Sequence, residues 1–165
     1  LGVHILDIAC YCLGFPKLVA VNGQACTKFA ERDVPELEMD VDDFATAYCR
    51  FDNGATLALE VSWASHHEHP EQMLLHVYGN EGGATRRVND YQDISIELHK
   101  RHHGNLVTPR VDRFPAPNTT VQQDFVNAVR EDRAPACSGE HGLLAMKIID
   151  GIYESSRTGR EVRFD

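Results

Sequence analysis

Two titratable side chains near the start of the chain have the spacing of a helical pair. His4 and Asp7 are three residues apart in a segment whose apolar residues follow helical spacing. Residues three apart on a helix share a face, and a carboxylate there can orient an imidazole that exchanges protons near neutral pH. Because surface pairs have the same spacing, an acid/base role and a simple surface pair both stay open.

A second group of chemically active side chains lies further along the chain. His66, His67 and His69, with Glu68 between them, form what we call the histidine cluster. These residue types can bind a transition metal, and a metal-dependent hydrolase is one hypothesis for the cluster. Neighbours in an extended segment point to opposite sides, however, and this disfavours a shared ion.

The composition is typical of a globular protein with an acidic surface. The chain has 165 residues, of which 42% are hydrophobic and 25% charged, and its formal net charge is −9. The length suffices for one domain with a core. The negative charge argues against a nucleic-acid partner, and no apolar run is long enough to indicate a membrane partner. Five cysteines without disulfide or zinc spacing indicate a reducing, cytoplasmic location.

The strongest structural signal is a predicted β-hairpin within residues 43–65. Asn53-Gly54 is typical of a two-residue type I′ turn, which would pair Tyr48 with Leu59 and Phe44 with Trp63. One face would then carry mostly bulky side chains, namely Phe44, Thr46, Tyr48, Leu57, Leu59, Val61 and Trp63. The other would carry mostly small ones, including Ala45, Ala47, Cys49, Ala58 and Ser62.

The two faces predict different neighbours. We expect the helices at 120–133 and 138–158 to pack on the bulky face. The small face permits close approach by another subunit, so we expect a homo-oligomer through this sheet face. An ordinary sheet with one solvated face is the alternative.

Three helices are predicted around the strands. The first ends at Gly14 and has no N-terminal capping residue, so we expect more polypeptide before it. The second begins at Thr120, and its apolar stripe consists of Val121, Phe125 and Val129. The third runs from the cap Ser138 to Gly159, and its apolar stripe consists of Leu144, Ile148, Ile149 and Ile152.

The order of these elements predicts the fold class. A helix is followed by many short strands, two helices and a final strand, with an acidic loop expected over residues 31–43. This order predicts an α+β fold with an open, largely antiparallel β-sheet and helices packed on one face.

Several short motifs then suggest a family. In chain order they are GVHILD at 2–7 with LG at 13–14, DFA at 43–45, NGAT at 53–56, VSW at 61–63, SGEHG at 138–142, YES at 153–155 and TGREV at 158–162. Together they span nearly the whole chain. The sequence resembles the C-terminal domain of the glucose–fructose oxidoreductase / inositol dehydrogenase (Gfo/Idh/MocA) family of NAD(P)-dependent oxidoreductases.

The resemblance implies a function. It implies that residues 1–165 are a single substrate-binding and oligomerisation domain of a dehydrogenase acting on a sugar, polyol or related hydroxy compound. His4 would be the catalytic acid/base, Asp7 a structural residue, and Trp63 and His66 would line the substrate pocket at the end of a strand. A non-catalytic binding or assembly module of the same fold is the alternative.

The resemblance also implies what this chain lacks. The family's glycine-rich dinucleotide-binding domain and its catalytic lysine do not occur here, and its catalytic aspartate would come immediately before Leu1. We therefore expect NAD or NADP to bind mainly to an N-terminal domain outside this chain, and we expect the fragment alone to be inactive.

Overall fold

The chain forms three helices and nine strands within the residues that the structure describes. These are residues 2–29, 40–90, 93–111 and 119–165 of a computed structural model, so most of the predicted acidic loop lies outside them. The elements are α1 (Gly2–Leu13), β1 (Leu18–Cys26), β2 (Phe44–Phe51), β3 (Thr56–Ser62), β4 (Gln72–Tyr78), β5 (Gly82–Asn89), β6 (Asp93–His102), β7 (Asn105–Val107), β8 (Arg110–Val111), α2 (Val121–Glu131), α3 (Gly139–Thr158) and β9 (Val162–Arg163). The predicted α+β class with antiparallel strands is confirmed.

The chain divides into two compact units. The first joins the residues up to His66 with Cys137–Asp165, and the second consists of His67–Ala136. The first unit holds α1, α3 and an antiparallel sheet in the order β3-β2-β1-β9. The second holds α2 and a sheet in the order β4-β5-β6-β7, with β8 pairing with β6. Within the described part of the chain, no helix is long and apolar enough to cross a membrane.

Helix α3 packs closely on β1 because each of the two elements has a glycine at the contact. A Cβ atom on Gly151 would come within 3.2 Å of Val21, and one on Gly23 would come within 3.1 Å of Ile152. Hydrogen bonds join the same two elements. The Gly23 N–H donates to Ser155 Oγ at 2.9 Å, and the Ala25 N–H donates to Ser156 Oγ at 3.1 Å.

This contact forms the core of the first unit. Ile148 and Ile152 of α3 are buried, as the predicted apolar stripe requires. They belong to one cluster with Leu6, Cys10, Leu18, Val21, Ala47, Cys49, Phe51 and Leu59. Burial raises the pKa of the Cys10 thiol to about 11 and that of the Cys49 thiol to about 12, so both stay protonated at neutral pH.

The prediction that a two-residue turn closes the hairpin is wrong. The loop has three residues, Asp52-Asn53-Gly54, and only Gly54 has a positive φ, of 83°. The Gly54 N–H donates to the Phe51 carbonyl at 3.1 Å, and Asn53 Oδ1 accepts from the Ala55 N–H at 3.0 Å. A three-residue loop with glycine in the left-handed region is the next most common hairpin connection, and the asparagine side chain stabilises it here.

The longer turn shifts the register of the hairpin by one residue. Tyr48 lies opposite Ala58 rather than Leu59, and Phe44 lies opposite Ser62 rather than Trp63. A shift of one residue moves every side chain of β3 to the other face relative to β2. The face under α3 therefore combines two sets: Ala45, Ala47, Cys49 and Phe51 from β2 with Leu57, Leu59 and Val61 from β3.

The expected roles of the two faces are consequently wrong. Ala45, Ala47 and Cys49 lie under α3 and are not open to another subunit, since Ala47 is only 9% exposed. Small side chains on this face let the helix approach closely. The face that stays open carries Asn22 and Gln24 of β1 with Thr46, Tyr48, Ala58 and Glu60.

The helix boundaries agree with the capping signals. Thr120 Oγ1 accepts from the Gln123 N–H at 3.1 Å, Ser138 is the N-cap of α3, and Gly159 ends α3 with a φ of 66°. The apolar stripe of α2, formed by Val121, Phe125 and Val129, is largely exposed. The expected packing of this helix on the hairpin stays a prediction.

Replacing Gly151 by leucine tests the helix–sheet contact. Because the added atoms would enter the space held by Val21 and Phe164, we expect the free energy of unfolding to fall by about 1–3 kcal/mol. The matched control is Gly142→Leu on the same helix, where a Cβ meets nothing within 4 Å. Leucine should stabilise that position by roughly 0.5–1 kcal/mol through helix propensity. Urea unfolding measures both, and equal shifts in the two variants would contradict the close contact.

Candidate functional site

A cavity of about 320 Å³ lies at one end of the first unit's sheet. It is bounded by the first turns of α1, by the start of β2, the end of β3 and by the middle of α3. Its lining residues are Gly2, Val3, Leu6, Ala25, Asp42, Asp43, Ala45, Leu59, Val61, Ser62, Trp63, Ile149, Ile152 and Tyr153. An apolar cavity with few polar groups is typical of small-molecule sites.

Asp42 is the centre of the polar part of this cavity. The Tyr153 hydroxyl donates to Asp42 Oδ1 at 2.5 Å, and the Trp63 Nε1–H donates to the Asp42 carbonyl at 2.9 Å. The pKa of Tyr153 is raised, chiefly because its hydroxyl donates to the Asp42 carboxylate and further because it is partly buried. Tyr153 therefore stays protonated, while Asp42 offers a carboxylate and Trp63 an indole ring that is 52% exposed.

Asp43 holds the strand ends that carry these groups. It is 1% exposed, and its Oδ2 accepts from the Lys28 N–H at 2.8 Å and the Phe29 N–H at 2.6 Å. Its carbonyl accepts from the Ser62 hydroxyl at 2.7 Å and from the Trp63 N–H at 3.3 Å. The residue thus ties the end of β1 to the end of β3, and this fixes Asp42 and Trp63 beside each other.

Helix α1 presents different residues to the cavity and to solvent. Val3 and Leu6 line the cavity, whereas His4 and Asp7 are exposed. His4 follows Val3 and lies about 100° further round the helix axis. The structure therefore places the predicted acid/base residue near the cavity in sequence but outside its wall.

The other predicted site residues are only partly brought together. Trp63 lines the cavity, whereas His66 is exposed and outside the lining. His69 Nδ1 lies 3.8 Å from Asp90 Oδ2 in the second unit. Among the residues that the structure describes, no three histidine, cysteine or acidic side chains are arranged to hold a metal ion.

Sequence reasoning gave no site role to Asp42 or to Tyr153, although Tyr153 begins the YES motif. A signal for Tyr153 was present, because it follows the buried Ile152 at the edge of the apolar stripe of α3. Asp42 precedes β2 in an acidic run that reads as a solvated loop. Its role depends on Tyr153, which is 111 residues away in sequence.

A second, shallower depression of about 510 Å³ extends from the open face of the same sheet to Ser155 and Gly159 at the end of α3. Its lining includes Asn22, Gln24, Thr46, Tyr48 and Ala58. Tyr48 is 47% exposed there, so this polar face has an aromatic side chain available to a partner.

Comparison with known proteins identifies relatives of the whole chain. D-glucoside 3-dehydrogenase of Escherichia coli (strain K12) is 26% identical over 173 residues, covering 98% of this chain and 47% of that protein. scyllo-Inositol 2-dehydrogenase (NAD(+)) of Bacillus subtilis (strain 168) is 26% identical over 164 residues, covering 99% of this chain and 46% of that protein. The chain spans about half the length of the curated relatives it matches.

Solved structures have the same fold. Aldose-aldose oxidoreductase from Caulobacter crescentus, complexed with glycerol, matches with a TM-score of 0.74 and 25% identity over 99% of this chain and 46% of that one. Levoglucosan dehydrogenase in complex with NADH and levoglucosan has a TM-score of 0.77 at 22% identity, over 99% of this chain and 48% of that one, and shows the fold alone.

The family model described as "Oxidoreductase family, C-terminal alpha/beta domain" matches residues 1–164. The resemblance found in the short motifs is thereby confirmed over the whole chain, and the relatives named above are sugar and polyol dehydrogenases or oxidoreductases. The chain belongs to the Gfo/Idh/MocA family of oxidoreductases and corresponds to its C-terminal alpha/beta domain.

Proposed function

We propose that residues 1–165 are the substrate-binding part of an NAD(P)-dependent dehydrogenase that acts on a sugar, polyol or related hydroxy compound. The observation that carries the proposal is the family match over residues 1–164, together with relatives named for glucoside, apiose, xylose and inositol oxidation. The cavity with its carboxylate and indole ring supports it, because hydroxyl groups donate to carboxylates and the apolar faces of a sugar ring pack on aromatic rings.

The cofactor belongs to another part of the intact enzyme in this proposal. Among the described residues that line the cavity, the charged ones are Asp42 and the buried Asp43, and none is a lysine or an arginine, so this lining does not fit the phosphates of a dinucleotide. We therefore place NAD or NADP on a dinucleotide-binding domain outside these residues. Curated relatives named as NADP(+)- and NAD(+)-dependent dehydrogenases support this cofactor class.

His4 is the residue of this chain that we assign to proton transfer. Its imidazole is exposed on the first turn of α1. A substrate hydroxyl that approaches this side of the helix can therefore reach it. Asp7 lies one turn further along the same helix and is exposed too. We assign Trp63 to the substrate pocket because it lines the cavity, and His66 to the loop that follows Trp63.

Replacing His4 by asparagine in the intact enzyme tests the proton-transfer role. Asparagine has a similar size but does not accept the hydroxyl proton at neutral pH, so kcat should fall by about 10²–10⁴-fold. Cofactor affinity and melting temperature should change little. Tyr11→Phe, on the same exposed side of α1, is the matched control and should leave kcat unchanged.

Two measurements on the intact protein distinguish an enzyme that uses His4 from a non-catalytic binding module. Near-normal kcat per folded His4→Asn molecule would remove the acid/base assignment. Absence of turnover on any polyol by the folded, cofactor-loaded intact protein would favour a non-catalytic binding module of the same fold.

Replacing Asp42 by asparagine tests the cavity as part of the substrate site. A hydrogen bond to a charged group contributes about 1.5–3 kcal/mol, so KM should rise roughly tenfold or more while kcat changes little. The same variant should lower the pKa of Tyr153, because the bond to the Asp42 carboxylate is the main cause of its elevation. Phenolate absorbance measures that pKa, with Tyr153→Phe identifying the signal. If KM is unchanged while the pKa of Tyr153 falls, the hydrogen bond between Asp42 and Tyr153 has a structural role only.

The raised pKa of Tyr153 also predicts how stability depends on pH. A raised pKa means that the folded state favours the protonated phenol. The bond to Asp42 therefore stabilises the fold fully below the usual tyrosine pKa of 10.0, and this contribution is lost as the pH rises through the higher folded-state value. The stability difference between the wild-type chain and Tyr153→Phe should be constant from neutral pH up to pH 10.0 and shrink above it, as measured by urea unfolding. A constant difference up to pH 11 would contradict the bond.

We further propose that the enzyme is a homo-oligomer through the open face of the first unit's sheet. This face replaces the small-residue face of the original prediction, because that one lies under α3. A stable interface buries on the order of 1,000 Å² or more in total, and the depression around Tyr48 provides an aromatic anchor for one.

Tyr48→Arg tests this interface. An arginine there would place a charge at the centre of the face, so sedimentation should show monomers with an unchanged melting temperature of the monomeric fold. Met146→Arg on the exposed side of α3 is the control and should leave the assembly intact. An unchanged oligomer in Tyr48→Arg would place the interface elsewhere.

A further inference from the structure

The side-chain donors in the described wall of the first unit's cavity are all used within the chain. Among the described residues that line it, only Ser62, Trp63 and Tyr153 carry an O–H or N–H group on the side chain. The Ser62 hydroxyl donates to the Asp43 carbonyl at 2.7 Å, and the Trp63 Nε1–H donates to the Asp42 carbonyl at 2.9 Å. The Tyr153 hydroxyl donates to Asp42 Oδ1 at 2.5 Å. A ligand in the cavity therefore meets no unused side-chain hydrogen from these three residues.

The same wall still offers acceptors. The Asp42 carboxylate is only partly buried and has about four lone-pair sites, of which the Tyr153 hydroxyl takes one. The Tyr153 oxygen, on a residue that is 48% exposed, keeps its own lone pairs. Ser62 Oγ adds no acceptor, because it already accepts from the N–H groups of Ala64 and Ser65 at 3.2 and 2.9 Å. The acceptors left for a ligand are thus concentrated at Asp42 and Tyr153.

This distribution of donors and acceptors selects the charge of a bound group. A hydroxyl group can donate to Asp42 or to Tyr153, whereas a carboxylate or a phosphate dianion brings only acceptors and the same sign of charge as Asp42. Like charges placed side by side disfavour binding strongly. Among the described lining residues there is no lysine, arginine or histidine to offset that charge, and the buried carboxylate of Asp43 has the same sign.

We propose that the cavity takes an uncharged, hydroxyl-bearing part of a sugar or polyol and rejects sugar acids and sugar phosphates, with Asp42 as the residue that determines this specificity. The inference rests on the proposed function, since it takes the cavity as part of the substrate site. Apolar side chains of the wall such as Val61 and Ile149 fit the C–H groups of the same ligand. Specificity of this kind arises from an unfavourable contact with the wrong ligand as well as from a favourable contact with the right one.

Ligand binding to the intact protein tests the proposal. D-Glucose is the uncharged probe, because a D-glucoside dehydrogenase is among the relatives. D-Glucuronate and glucose 1-phosphate are the anionic probes. They carry their charges at opposite ends of the same sugar, so one of them brings a charge to the cavity in either orientation. Isothermal titration in the presence of NADH, which prevents oxidation of the sugar, gives the three dissociation constants.

The expected result is a preference for glucose that depends on Asp42. The wild-type protein should bind glucose at least about 30-fold more tightly than the weaker of the two anions. Asp42→Asn removes the charge and supplies an amide donor, so this ratio should fall at least about fivefold. Asp150→Asn is the matched control. Asp150 is exposed on α3 one turn before Tyr153 and lies outside the cavity wall, so the loss of its charge should leave the ratio unchanged.

Three outcomes would overturn the proposal. If both anions bind as tightly as glucose, backbone donors at the first turn of α1 or groups elsewhere in the intact protein bind them. If Asp150→Asn lowers the ratio as much as Asp42→Asn, the discrimination comes from the net charge of the protein and not from the cavity. If glucose does not bind, the cavity does not take this class of ligand.

Turnover of the same intact protein tests the proposed function separately. A protein that binds glucose with the expected selectivity but oxidises no sugar or polyol would keep the specificity assigned to Asp42 and lose the assignment as a dehydrogenase.

Discussion

The first unit depends on the close approach of α3 to β1. Gly151 and Gly23 let the helix come close enough for serine side chains of α3 to hydrogen-bond the backbone of β1. Ser155 and Ser156 accept from backbone N–H groups of β1, so that polar groups buried by the approach are satisfied. The alanines and Cys49 on β2 serve the same geometry, because larger side chains would push the helix away.

The candidate site follows from this contact. Gly151, Ile152 and Tyr153 are consecutive in α3, so the helix that is fixed by the glycine also fixes the aromatic ring that reaches Asp42. Asp43 adds the second constraint, because its carboxylate accepts from the Lys28 N–H after β1 and its carbonyl accepts from the Ser62 hydroxyl at the end of β3. The walls of the cavity at α3 and at the ends of β1, β2 and β3 are therefore fixed. The short hydrogen bond from Tyr153 to Asp42 connects the helix to these strand ends.

Local signals predicted the elements well and their mutual placement less well. Thr120, Ser138 and Gly159 act on the backbone within one turn, so their capping roles can be read directly from the sequence. Asn53-Gly54 is compatible with a two-residue and a three-residue loop, which differ by one residue of register and reverse the faces of β3. Which loop forms depends on what packs against both faces, and a local pattern does not contain that information. The same holds for Asp42 and Tyr153, whose relation arises only when α3 meets the strand ends.

His4 and the cavity lie on different sides of α1, so the proposed reaction and the proposed substrate binding use different sides of this helix. Val3 and Leu6 face the cavity, whereas His4 projects about a quarter turn or more away from it. In the proposed reaction, a proton acceptor at His4 would act on a hydroxyl outside the cavity wall, and Asp42 and Trp63 would bind groups further from the reacting carbon. In our proposal, proton transfer thus belongs to His4 on α1, and the recognition of distant hydroxyls to Asp42 and Trp63 at the strand ends. Substitutions on the cavity side should then affect affinity, and substitutions at His4 the chemical step. The proposed reaction also needs a hydride acceptor on the exposed side of α1. The described residues of this chain do not supply one, and we assign it to the dinucleotide-binding domain.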